Sequence, residues 1–266
     1  MNILQRNNVK VIGNGPKTLV FGHGFGCDQH IWNAVAPTFT SNYTVVLYDY
    51  VGSGNSDRNA FSEERYGNLE GYAQDLLEIL GALNLEQVIF VAHSISGVIG
   101  YLAAIQEPQR FQQIIAIGPS ACYIDHPNDN YQGGFSKDDI DSLLNMMEHN
   151  FYEWAGLLAP QAMANAENPQ FANQLTERFR GNEPRMLQCF ARATFYADFR
   201  NQLKELRVPV HILFARADVV VPRQAIDYQL QHIPACTSQE LNATGHYPHI
   251  SKPSEVIRAL NEQLTK

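Results

Sequence analysis

Cysteine is scarce in this chain: four residues in 266, Cys27, Cys122, Cys189 and Cys236, with no C-x-x-C spacing among them. That scatter excludes a disulfide framework or a zinc site written in the spacing, and it fits reduced thiols in a cytoplasmic protein. Positive charge is also short, with 19 Lys and Arg against 27 Asp and Glu and a net charge of -8. Nucleic acid and anionic membrane surfaces are therefore excluded as main partners. No apolar run approaches the length of a membrane span. Met1 to Gly15 is polar and lacks the apolar segment of a secretory leader, so a cytoplasmic location is expected. The glycine-rich stretch Gly22-His23-Gly24-Phe25-Gly26 lacks the Lys-Ser/Thr pair of a phosphate-binding loop. It also lacks the acidic residue about twenty positions on that marks a dinucleotide fold. No nucleotide, metal or organic cofactor is expected.

What remains is a globular composition, 45% hydrophobic and 17% charged, long enough for one large core with an insertion. Short apolar runs alternate with helical spacing. Ile3 to Ile12 reads as one or two short strands, Thr18 to Phe21 as another, and Gln29 to Phe39 as a helix. Tyr43 to Tyr50 is a buried strand, and Tyr66 to Leu85 an amphipathic helix. Val88 to Val91 and Phe111 to Gly118 are further buried strands. After Pro119 the alternation stops, and four helical patterns punctuated by Pro127, Pro160, Pro169 and Pro184 follow without a strand. It resumes with a strand at Val208 to Ala215, a helix at Arg223 to His232, a weak strand at Thr237 to Asn242 and a last helix at Pro253 to Leu264. This is an α/β pattern: a mostly parallel twisted sheet flanked by helices, with a four-helix insertion after the sixth strand. The core spans residues 1–121 and 197–266, and the insertion 122–196.

The chemistry starts at Ala92-His93-Ser94-Ile95-Ser96, between a buried strand and an apolar helix. A serine on such a turn is the setting of a nucleophile elbow, although the usual pattern there is G-x-S-x-G. A helix cap is the simpler role for a serine in this place. A serine hydroxyl attacks only when a base takes its proton and a third group orients that base. In a doubly wound sheet such groups lie beyond the carboxyl ends of strands. Asp218 follows one such strand and His246 the last, giving the order Ser94, Asp218, His246 expected of this architecture. Asp49, also at a strand end, is the reserve acid. His23 and His93 lie near the site but alternate in direction with their neighbours, and His249 is expected to serve structural hydrogen bonding. The backbone N–H groups of Ile95 and Phe25 are the candidate oxyanion donors.

The His-Gly-Phe-Gly loop, the A-H-S-I-S elbow, F-A-R-A-D and G-H-Y-P-H together resemble the α/β-hydrolase superfamily. Gly24-Phe25-Gly26-Cys27-Asp28-Gln29, Trp32-Asn33-Ala34-Val35-Ala36-Pro37, Asp49-Tyr50-Val51-Gly52-Ser53-Gly54 and Gly118-Pro119-Ser120 are similar to its RsbQ-like subfamily. That subfamily is related to the plant strigolactone and karrikin receptors, which share a serine where Ser96 stands. Ala92 departs from the glycine usual there. The resemblance implies a V-shaped four-helix lid over an apolar pocket bounded by Phe25, His93, Phe135, Trp154 and Phe195, with Met147, Leu158, Met163 and Phe190 as further candidates. It implies a serine esterase or lactonase acting on a small apolar ester or lactone, with a butenolide as the finer candidate. It also implies the alternative of a slow-turnover ligand receptor acting with a PAS-domain phosphatase as signalling partner.

Overall fold

The structure, a computed structural model, describes residues 2–265. Seven strands form one sheet: β1 (Lys10–Ile12), β2 (Lys17–Gly22), β3 (Tyr43–Leu47), β4 (Val88–His93), β5 (Phe111–Ile117), β6 (Val210–Ala217) and β7 (Cys236–Thr244). Their order is β1-β3-β2-β4-β5-β6-β7. β1 runs antiparallel to β3, and every other pairing is parallel. Every residue of β4 is buried, which explains its unbroken apolar run: a central parallel strand has no solvent face.

Two local readings are corrected. Ile3–Arg6 is a helical turn capped by Asn2, not a strand, because the Asn2 side chain accepts the Leu4 N–H. The chain therefore enters the insertion after the fifth strand, not the sixth. Gln29 to Phe39 is not one helix but two single 3-10 turns, Gln29–Trp32 and Ala36–Phe39. Pro37 cannot donate the hydrogen bond that would continue a helix through it.

The insertion carries four helices, Lys137–His149, Phe151–Met163, Pro169–Arg180 and Pro184–Phe195. Their starts are chemically marked. Ser136 and Asp139 form a reciprocal capping box, Asn150 caps the second helix, and prolines stand in the first turn of the third and fourth. The second and third helices pack on each other, as do the first and fourth. Leu158, Ala162, Phe179 and Phe195 of these helices line one cavity with Ser94 and His246, which follow β4 and β7.

Candidate active site

Ser94 stands between β4 and the helix Ile95–Gln106 with φ 55 and ψ -123. Positive φ on a residue with a side chain is strained, and here it lifts the hydroxyl off the strand direction. The Ser94 N–H is held by the Ile117 carbonyl at 2.8 Å. Ser94 makes no side-chain cap to the helix, so the simpler capping role fails. Ala92 fits because its in-register neighbours are Gly22 on β2 and Ala116 on β5, so a methyl group takes the space a glycine would leave empty.

His246 and Asp218 meet Ser94 from two other strand ends. His246 Nε2 lies 2.7 Å from Ser94 Oγ, and His246 Nδ1 lies 2.7 Å from Asp218 Oδ2. The other Asp218 oxygen accepts the N–H groups of Val220 and Val221 at 2.8 and 3.1 Å, which fixes the carboxylate plane. A carboxylate on Nδ1 selects the tautomer in which Nδ1 carries the proton and Nε2 faces the serine as acceptor. Ser94 and His246 are buried and the Asp218 side chain is 6% exposed, so this chain of hydrogen bonds is largely screened from water. Ile95 is the first residue of its helix, so its N–H has no carbonyl one turn earlier to bond.

The remaining acids and histidines sort differently. Asp49 is taken up by the backbone N–H groups of Gln29 and Asn55 and the amide of Asn8, which leaves no reserve role. His93 does not line the pocket as expected. Alternation along β4 turns it to the far side of the site, where Nε2 donates to the His246 carbonyl at 2.8 Å. His249 departs from expectation as well. It is fully buried between the rings of Trp32 and His93, and neither ring nitrogen has a hydrogen-bond partner among the described residues.

Burial drives the pKa of His249 down to about 3. His93 is lowered as well, by burial first and then by its histidine neighbours. An unfolded chain protonates these rings near the ordinary value of about 6.5, whereas the folded chain keeps them neutral. Below that pH the unfolded state binds more protons, so stability falls as the pH drops from about 6.5 towards 3. Thermal unfolding midpoints are expected to decline across this window, and His249→Phe to flatten the decline. An undiminished slope in the variant would refute the account.

A cavity of about 220 Å³ opens on Ser94 and His246. Its wall combines Phe25, Phe135 and Phe195, as expected, with Leu158 from the wider set. Trp154 is a correction: it stands behind the wall, stacked on Phe179 with ring centroids 5.4 Å apart and edge-on to Phe25 at 6.2 Å. Met147, Met163 and Phe190 also lie outside the lining. The sequence reading missed Tyr123, Phe179, Thr194, Val220 and Tyr247, which all line the cavity. Tyr123 was discoverable, since it follows the carboxyl end of β5; its hydroxyl lies 3.4 Å from Ser94 Oγ. No lysine or arginine is among the lining residues, and Asp139 is the acid among them. A larger hollow of about 730 Å³ runs past Arg58 and Arg178 and is lined by none of Ser94, Asp218 and His246.

The alpha/beta hydrolase family model matches residues 19–259. The chain belongs to that family. Among curated relatives, this hydrolase is 37% identical to the strigolactone esterase RMS3 of Pisum sativum, over 99% of this chain and 98% of the relative. It is 36% identical to the Karrikin insensitive 2 receptor IA of Petunia hybrida, over 95% and 92% of the two chains. A solved hydrolase from Oleispira antarctica superposes with a TM-score of 0.96 at 35% identity, covering 100% of this hydrolase and 97% of that chain. Among the described residues no helix is long and apolar enough to cross a membrane. Cys122, His126 and Asp198 bring one possible metal-ligand atom each to within 4.8 Å of one another. The Asp198 carboxylate is already bound by Arg200 Nε and Nη2 at 2.9 and 2.8 Å, so this group of the hydrolase reads as an ion-pair cluster at the neck of the insertion.

Proposed function

We propose that this protein is a serine hydrolase that cleaves a small, uncharged, apolar ester or lactone through an acyl-enzyme on Ser94. One observation carries the reading: an unbroken hydrogen-bonded series from Asp218 through His246 to Ser94 that ends in an apolar cavity. His246 Nε2 accepts the Ser94 proton as Oγ attacks the substrate carbonyl. The resulting oxyanion is met by the N–H groups of Phe25 and Ile95. Collapse expels the alcohol, which takes its proton from His246. Water then enters, gives a proton to His246 and attacks the acyl carbon; the bond to Ser94 Oγ breaks, Oγ takes the proton back from His246, and the acid leaves.

The cavity supports the substrate class. At about 220 Å³ it lies below the range of roughly 300–1,000 Å³ that holds drug-sized ligands, so the substrate is small. With no cationic side chain in the lining, a carboxylate or phosphate would enter uncompensated, at a desolvation cost of several kcal/mol. The relatives named as a strigolactone esterase and a karrikin receptor support ester hydrolysis and recognition of a small ligand, with a butenolide as the finer candidate. The receptor name also favours a second reading, a slow-turnover ligand receptor, for which a PAS-domain phosphatase is the candidate signalling partner.

Treatment with a fluorophosphonate followed by intact-protein mass spectrometry and peptide mapping tests the reaction. A single adduct on Ser94, formed in step with loss of nitrophenyl ester hydrolysis, is the expected result. Labelling at another residue, or full hydrolysis by labelled protein, would overturn the reading. Multiple rapid turnovers of a butenolide would favour the enzyme over the receptor.

The pocket reading carries its own prediction. Phe195 packs on Phe25 and Tyr123, each at 5.4 Å between centroids. Phe195→Ala enlarges the acyl space, so the kcat/KM ratio of hexanoyl to acetyl nitrophenyl ester is expected to rise about tenfold, the scale of one or two methylenes. An unchanged ratio would remove Phe195 from the specificity wall.

A further inference from the structure

His23 lies under the oxyanion loop and takes no part in the reaction as written above. Its side chain is fully buried, and both ring nitrogens are engaged. The Tyr50 backbone N–H lies 3.1 Å from His23 Nε2, and a backbone N–H can only donate. Nε2 is therefore the acceptor, so the proton of the neutral ring sits on Nδ1. That Nδ1–H donates to the Gly24 carbonyl at 2.9 Å. The tautomer is thus decided by the partners. Burial lowers the pKa of His23, which keeps the ring neutral and this arrangement intact.

The Gly24 carbonyl belongs to the same peptide plane as the Phe25 N–H. In a trans peptide the two groups point in opposite directions. Holding Gly24 O on the inner side, where Cys27 N–H also donates to it at 3.3 Å, turns the Phe25 N–H to the outer side. The plane is confined from below as well: a Cβ on Gly24 would come 2.3 Å from His93 Nδ1. His23 is held in turn. The Ser96 hydroxyl donates to the His23 carbonyl, Tyr50 OH donates to Ser96 Oγ at 2.6 Å, and Tyr48 OH donates to Tyr50 OH at 3.1 Å. All of these side chains are buried. In the usual elbow pattern glycine occupies the position of Ser96, and glycine offers no hydroxyl for this relay.

We propose that His23 is a positioning residue, fixed by Ser96 and Tyr50, that sets the direction of the Phe25 N–H towards the oxyanion. This rests on the serine-hydrolase reading above. It makes a demand that ordinary structural support does not: loss of the device must penalise an oxygen anion more than a sulfur anion, because sulfur is the weaker acceptor.

The test compares a nitrophenyl ester with its thionoester, whose carbonyl oxygen is replaced by sulfur. The proteins are wild type, His23→Leu, His23→Asn, Ser96→Ala and Ser94→Ala. His23→Leu is expected to lower kcat for the ester about 10²-fold, the effect of one lost oxyanion donor, with KM changed less than about threefold. Its thionoester rate should fall much less, so the ester-to-thionoester ratio collapses. His23→Asn keeps a donor near the Nδ1 position and should recover most of the ratio. Ser96→Ala, the mildest change, should lower the ratio about threefold to tenfold, and it keeps the test open if His23→Leu does not fold. Equal losses on both substrates, or a wild-type ratio in folded Ser96→Ala and His23→Leu, would overturn the proposal. Full activity in Ser94→Ala would instead overturn the serine-hydrolase reading, so the two failures are distinguishable.

Discussion

Ser94→Ala is expected to abolish hydrolysis of a short-chain nitrophenyl ester, lowering kcat by roughly 10⁴- to 10⁶-fold. The substitution removes one atom, Oγ, to which His246 Nε2 and the Tyr123 hydroxyl are directed. No cysteine lines the cavity to take its place. The cysteines are free, but burial pushes the Cys27 and Cys122 thiols up to about 12 and about 11, which keeps them in the unreactive form. The fold should be little affected, because Ser94 anchors its turn through the backbone N–H rather than the side chain. Ester turnover is read against thermal unfolding of the same samples. Wild-type-like kcat in the variant would remove Ser94 from the reaction.

Asp218→Asn is expected to cost nearly as much, about 10⁴-fold in kcat with KM largely retained. The amide oxygen of asparagine can still accept the N–H groups of Val220 and Val221, so the loop keeps its shape. Its NH₂ group then faces His246 Nδ1 as a donor. That reverses the tautomer and puts a proton on Nε2, where the serine needs an acceptor. The activity left should rise with pH, as hydroxide replaces the missing base. A pH–rate profile matching wild type would mean that another group orients the imidazole, and Asp49 is not available for it.

The site was legible in the sequence where topology decides it. The structure brings Ser94, Asp218 and His246 together, and each stands just beyond a strand in a parallel sheet, where such strands announce themselves as short apolar runs. Side-chain direction was less legible. The resemblance implies a pocket role for His93, but alternation along β4 directs its ring to the His246 carbonyl instead. Trp154 stands behind the wall, and Phe179, which the sequence reading does not name, lines it, for a related reason. The helix Phe151–Met163 is apolar on much of its circumference, so its sequence does not say which side meets the cavity. Ile3–Arg6 differs from the expected strand because four apolar and polar residues fit a strand or a helical turn equally well, and the Asn2 cap selects the turn. The tautomer of His23 and its grip on Gly24 depend on hydrogen bonds between elements distant in sequence, which no local pattern encodes.

The base is tied to more than its acid. The His246 N–H donates to the Ala162 carbonyl at 2.8 Å, at the end of the second insertion helix. A Cβ on Gly245 would come 1.9 Å from the Met163 carbonyl, so the base loop and the helix end are in direct backbone contact. Asn165 adds a bond from its amide to the Thr244 carbonyl at 3.3 Å. A helix that moves to admit a substrate must therefore pull on the peptide that aims the imidazole. In the proposed reaction, the placing of this helix and the aim of the imidazole are therefore one structural variable rather than two.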